Sequence, residues 1–234
     1  MVEVIGYRRE KPGNHPPYNF PGYTSTVKRA PKRKLIRIEQ TLTETTGPTF
    51  TGRWEGPNQA DLTRAGAGEP IGERIIVAGR VLDEDGRPVP GTLVELWQAN
   101  AAGRYLHDGD QHDAPLDPNF TGKGHVVTDA EGGYRFLTVK AGAYPWRNSH
   151  NAWRPQHLHF SVFGPAFATR LVTQMYFPGD PLLPLDPIFN STADAEARDR
   201  LISAYDPELS EAEYALGYRF DIVLRGRAAT PMEN

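Results

Sequence analysis

The sequence predicts an all-β protein: a single β-sandwich domain with long loops, an extended N-terminal arm and one short helix. Three observations carry this. First, 23 Gly and 21 Pro make up about a fifth of the 234 residues and are spread as punctuation, the texture of short strands joined by turns. Second, short runs rich in Val, Ile, Leu, Tyr and Phe lie between those breaks. Third, helical periodicity is convincing in one segment only. With no internal repeat and no second apolar core, one sandwich is the economical architecture.

Each element follows from its residues. Residues 1–30 form an arm rich in Pro, Gly and basic residues with little periodicity. Its aromatics, Tyr7, Tyr18, Phe20 and Tyr23, predict that it packs on a partner subunit. Residues 31–234 form the sandwich. Within it, "RKLIRIEQ" (33–40) reads as a strand and 41–70 as irregular. Residues 72–100 read as the clearest hairpin, two β-rich runs around the turn formers of "DEDGRPVPG". A polar loop spans 99–124, and loops of that length are often functional. Residues 125–142 read as strand-turn-strand and 168–180 as a further strand. Residues 192–205 carry the helix, with Leu201, Ile202 and Tyr205 as its apolar stripe. The strand 218–226 closes the domain with Tyr218, Phe220, Ile222 and Leu224 on one face.

Composition excludes several classes. A 38% hydrophobic and 24% charged chain can bury a core. The net charge of −3 gives no drive toward nucleic acid or an anionic membrane. No apolar run approaches a membrane span, and no signal-peptide pattern opens the chain. Cysteine is absent, which removes disulfides, thiolate ligands and a cysteine nucleophile and suits a cytoplasmic protein.

The chemistry concentrates in "AYPWRNSHNAWRPQHLHFSV", residues 143–162. In a strand, Leu158, Phe160 and Val162 share one face, and His157, His159 and Ser161 the other. Two imidazoles two positions apart can converge on one point. They can equally be half-exposed polar residues on the solvent side of a sandwich. Without cysteine, further metal ligands must be oxygen donors: Asp108, Asp110, Asp113, Asp117, or the glycine-flanked Tyr105 and Tyr144, which could also be packing residues. Zinc or copper would call for a third histidine or a carboxylate. Phenolate ligands would call for ferric iron, because a free phenol titrates near about 10.

Longer motifs narrow the choice. "ERIIVAGRVLDEDGRPVPGTLVELWQANAAGRY", "APLDPNF", "YPWRN", "WRPQHLHF" and "YRFDIVLRG" together resemble the intradiol ring-cleaving dioxygenases, from about Tyr23 to Arg227. The resemblance implies a β-sandwich enzyme with one non-haem Fe(III) per chain, held by Tyr105, Tyr144, His157 and His159. It implies catalytic roles for Tyr144, which is displaced and takes a proton, for Arg154 beside the substrate ring, and for its neighbour Gln174. Tyr23, Trp146 and Ile188 would line the substrate pocket. Arg154 could instead simply pair with a carboxylate, and Trp146 could be only a packing residue. His15, His107, His112, His125 and His150 acquire no role and read as surface or loop residues.

The first ~70 residues lack the amphipathic helix of family members with a helical dimerisation segment. The chain is instead similar to iron-bearing β chains that assemble with a homologous α subunit. The implied reactants are O2 and a small aromatic diol, 3,4-dihydroxybenzoate. The rival reading is a non-catalytic prealbumin-like binding module, because "GRVLDEDGRPVPGTLVEL" followed by "TDAEGGYRF" also fits sandwich repeats of that kind.

Overall fold

The apolar run at 74–82 becomes the strand around which one sheet is built. In the computed structural model, which describes residues 10–36, 57–148, 152–163 and 170–233, β1 (Arg74–Leu82) has partners on both sides. β2 (Leu93–Trp97) and β3 (Lys123–Val127) follow in the other sheet. β4 (Gly133–Val139) returns to pair antiparallel with β1. β5 (Tyr144–Trp146) and β6 (Ala152–Arg154) form a separate two-stranded ribbon. β7 (His157–Phe163) and β8 (Leu171–Tyr176) complete the second sheet, ordered β3-β2-β7-β8 and antiparallel throughout. β9 (Ala204–Tyr205), β10 (Leu216–Arg219) and β11 (Ile222–Val223) join the first sheet, where β10 and β11 run parallel to β1. None of the described helices is long and apolar enough to cross a membrane.

Period-two alternation decides what each sheet buries. Ile75, Val77 and Val81 of β1 meet Val94 and Leu96 of β2, Phe136 of β4, and Leu158, Phe160 and Val162 of β7 in one core. Burying side chains of this size contributes about 1.5–3 kcal/mol each. The same alternation puts Trp97, His157, His159, Gln174 and Tyr176 on the opposite face of the second sheet. That face carries the site.

Several expectations are revised. The turn of the 72–100 hairpin forms, with Asp83 N–H donating to Arg87 O at 2.9 Å and Val89 N–H to Val81 O at 2.9 Å. The flanking strands then part into different sheets. Both edges of β1 are already taken, and Pro88 and Pro90 have no N–H to extend a ladder. The helix expected over 192–205 is only α3 (Ala195–Asp199), capped by Asp194. Residues beyond it are drawn to β8: Leu201 O accepts from Tyr176 N at 2.8 Å, and Ser203 N donates to Tyr176 O at 2.9 Å. Two further short helices exist, α1 (Thr26–Arg29) and α2 (Pro187–Ser191). The closing strand 218–226 is broken, because Asp221 turns to accept from Arg80 N at 2.8 Å, which separates β10 from β11.

Residues 10–30 of the arm rest on the chain's own body and include α1, so this part is not simply extended. Lys11 pairs with Asp194 at 2.8 Å, and Asn14 Nδ2 donates to Ala229 O at 3.1 Å. Residues 33–36 form no strand; the rest of the 33–40 prediction, residues 1–9 and 41–56, and His150 lie outside the described residues.

Candidate metal centre

Two loops bring the tyrosines together. Tyr105 follows β2, and its N–H donates to Asp110 Oδ2 at 2.7 Å. Tyr144 opens β5. The loops touch so closely that a Cβ on Gly103 would sit 2.2 Å from Ala143 O, and one on Gly142 would sit 2.4 Å from Ala101 O. The glycines that flank these tyrosines are therefore steric requirements, and the Tyr105 and Tyr144 rings meet edge-on at 5.4 Å.

The histidines come from β7. Nδ1 of His157 lies 2.7 Å from Pro155 O, and a carbonyl only accepts, so Nδ1 carries the proton and Nε2 has a free lone pair. That Nε2 faces Tyr144 Oη at 3.3 Å. His159 repeats the pattern: Nδ1 lies 3.0 Å from Glu233 Oε2, and Nε2 lies 3.1 Å from Tyr105 Oη. The imidazole rings are 4.9 Å apart, and His159 stacks on Trp97 at 4.9 Å and 6°. Two imidazole nitrogens and two phenol oxygens thus converge.

Burial sets the charges. It pushes the Tyr105 phenol well above its ordinary value, with the neighbouring Tyr144 adding to the effect, and it also raises Tyr144. Burial, with Arg154 and His159 nearby, holds His157 well below its ordinary value, so its imidazole is neutral. Burial works against the charge of Glu233, but the hydrogen bond from His159, with smaller contributions from Gln174 and Arg154, keeps its carboxyl below the ordinary value. The donor set fits a ferric ion. Both imidazoles turn Nε2 toward the phenol oxygens, and only a strong Lewis acid would ionise phenols raised by burial. Among the described residues no cluster of three His, Asp or Glu could hold a metal, so a metal here needs the tyrosines.

Behind the histidines lies a buried polar network. Arg154 is 3% exposed and Asp186 0%, and they pair through Nε–Oδ1 at 2.9 Å. A second guanidinium nitrogen reaches Asp186 Oδ2 and Tyr176 Oη, each at 3.1 Å, and also donates to Gln174 Oε1. Arg154 thus does pair with a carboxylate, and it also lies under the Trp146 ring at 5.5 Å. Trp146 faces a cleft of about 790 Å³ together with Tyr105, Tyr144, Arg147 and His159. Tyr23 reaches that cleft only through Trp146, against which it packs at 4.8 Å. Ile188 is buried in α2, beside Gln174 and Glu233. His107 and His112, expected to be without a role, also line the cleft; His15 pairs with Glu10, and His125 lies in β3.

Sequence reasoning missed Asp186, Tyr176, Glu233 and Trp97. The Asp-Pro pair at 186–187 signals only a helix N-cap, a role Asp186 also fills. Nothing in the sequence places Glu233 near His159.

A β-sandwich with two tyrosines and two histidines gathered outside one sheet defines a class, and the chain belongs to it: the intradiol dioxygenase family. The model described as Dioxygenase matches residues 45–226, and the one described as Protocatechuate 3,4-dioxygenase beta subunit N terminal matches 7–41. The Protocatechuate 3,4-dioxygenase beta chain of Burkholderia cepacia is 62% identical over 222 residues, 94% of each chain. The Hydroxyquinol 1,2-dioxygenase of Nocardioides simplex is 31% identical over 76% of this chain and 62% of its own. Among solved structures, the hydroxyquinol 1,2-dioxygenase of Pseudomonas putida DLL-E4 superposes with a TM-score of 0.55 at 25% identity, covering 91% of this chain and 73% of that one. The family is one of non-haem iron enzymes. The non-catalytic binding-module reading is not favoured.

Proposed function

We propose that this chain is the iron-bearing β chain of an αβ dioxygenase that cleaves protocatechuate (3,4-dihydroxybenzoate) with O2 to 3-carboxy-cis,cis-muconate. The reaction would belong to cytoplasmic aromatic catabolism by the β-ketoadipate route. One observation carries the reading: Tyr105, Tyr144, His157 and His159 converge, with both Nε2 atoms turned toward phenol oxygens. The 62% identity to a protocatechuate 3,4-dioxygenase beta chain supports the substrate and the α partner.

Those four residues would hold one Fe(III) per chain. When bound, the ferric ion supplies Lewis acidity that ionises the phenols and templates the catechol for reaction with O2. The protein's own groups do the rest. Tyr144 Oη, whose affinity for a proton is raised by burial, takes a proton from a substrate hydroxyl. Arg154, held by Asp186, Gln174 and Tyr176, places a fixed positive charge beside Trp146, where negative charge develops on the ring. Gln174 keeps that guanidinium in place. Trp146 faces the ring, Tyr23 backs Trp146, and Ile188 packs beside Gln174.

The substrate carboxylate needs a cation. Arg147 lines the cleft, whereas Lys123 lines a separate hollow beyond Trp97. We assign the carboxylate to the α subunit, with Arg147 the candidate within this chain. The test is direct: co-purify the chain with its homologous partner, count iron, record the visible spectrum and follow O2 uptake with protocatechuate. A red, iron-bearing sample that consumes O2 with protocatechuate is expected. A colourless, iron-free, inactive assembly refutes the reading.

A further inference from the structure

The family model ends at residue 226, and none of the roles above falls beyond it. Yet the segment after β11 runs back to the site, held at successive residues. Thr230 N donates to Val223 O at 2.9 Å, and Val223 N donates to Thr230 Oγ1 at 3.0 Å. Pro231 O accepts from Thr173 Oγ1 at 2.7 Å, and Met232 N donates to His15 Nδ1 at 3.0 Å. Glu233 N donates to Val172 O at 2.7 Å. A segment pinned this closely delivers one side chain to a defined place: Glu233 Oε2, 3.0 Å from His159 Nδ1.

The two histidines are therefore not equivalent. His157 is backed by a neutral carbonyl at 2.7 Å. His159 is backed by a carboxylate, and the stacked Trp97 fixes the plane of its ring. A carboxylate draws the Nδ1 proton toward itself and leaves Nε2 more basic, while it also orients the ring. We propose that Glu233 is a positioning residue that fixes His159 and makes its Nε2 the stronger imidazole donor to the metal. This rests on the reading of His159 as an iron ligand.

The test uses the full chain with its partner and compares wild type with Glu233→Gln and Glu233→Ala. Glutamine can still accept from Nδ1 but lacks the charge; alanine removes both. A weaker imidazole donor leaves the ferric ion more electron-poor, so the tyrosinate-to-iron band moves to longer wavelength. Glu233→Gln is expected to show that shift with an unchanged far-UV spectrum. Glu233→Ala is expected to add a loss of iron affinity of about 10–100-fold in competition with a chelator. An unchanged band in Glu233→Gln overturns the proposal, whatever the alanine variant does. A wild-type protein with neither iron nor band removes the iron reading and this inference together. Wild-type iron with an unaltered glutamine variant removes this inference alone.

Discussion

Each imidazole here is defined by what its Nδ1 touches, and each phenol by what burial does to its proton. The consequence at the scale of single residues is spectroscopic. Tyr105→Phe and Tyr144→Phe should each weaken or shift the visible tyrosinate-to-iron absorption, and an unchanged spectrum in either variant removes that residue from the ligand set. Arg154 acts on a different quantity. Its guanidinium is held in place by the buried pair with Asp186, so its charge already stands where negative charge develops on the ring. Arg154→Ala should lower kcat by orders of magnitude while a catechol still binds; a raised KM at unchanged kcat would mean uniform binding instead. Removing the other partner tests the pairing. Asp186→Ala leaves the guanidinium buried and unpaired and uncaps α2, and should cost about 3–5 kcal/mol, read as a lower denaturant midpoint at constant slope.

At the scale of elements, the sandwich depends on close approaches that side chains forbid. β1 passes the break between β10 and β11 so tightly that a Cβ on Gly79 would lie 1.9 Å from Phe220 O. The Tyr134 hydroxyl donates to the same carbonyl. Gly79→Ala should therefore displace β10 or β11 and destabilise the chain by more than about 3 kcal/mol in equilibrium unfolding. A loss below about 1 kcal/mol would show that the strands shift freely. The ribbon of β5 and β6 illustrates how elements serve the site: register pairs Tyr144 with Arg154, so one short ladder sets a candidate ligand beside the candidate catalytic cation.

At the scale of the whole molecule, the two sheets share one core, and the site lies outside it, between the second sheet and the loops that cover it. The first described residues add to that cover, since Tyr23 packs on Trp146. A cleft of about 790 Å³ edged by one arginine and two aspartates leaves room for a neighbour to contribute a further cation. The chain produced alone should be poorly soluble or inactive toward protocatechuate, and activity should appear with the α chain in an assembly of several αβ pairs. Native mass and O2 uptake check this. A soluble, fully active homo-oligomer with the same preference would shift the carboxylate anchor to Arg147.

The sequence by itself determined what is local. Alternation in 157–162 separated the histidines from Leu158, Phe160 and Val162, and the glycines beside Tyr105 and Tyr144 marked loops under constraint. Long motifs carried the family. Tertiary structure alone decided what depends on distant pairing. It sent the arms of the 72–100 turn into different sheets, because ladder partners far along the chain competed for the same edges. It shortened the helix at 195–199, because β8 offered Leu201 and Ser203 backbone partners that a longer helix would have forgone. It also brought Asp186 to Arg154 and Glu233 to His159, pairs separated by 32 and 74 positions. Hydrogen bonds between side chains need only proximity in space, and a single sequence records proximity only along the chain.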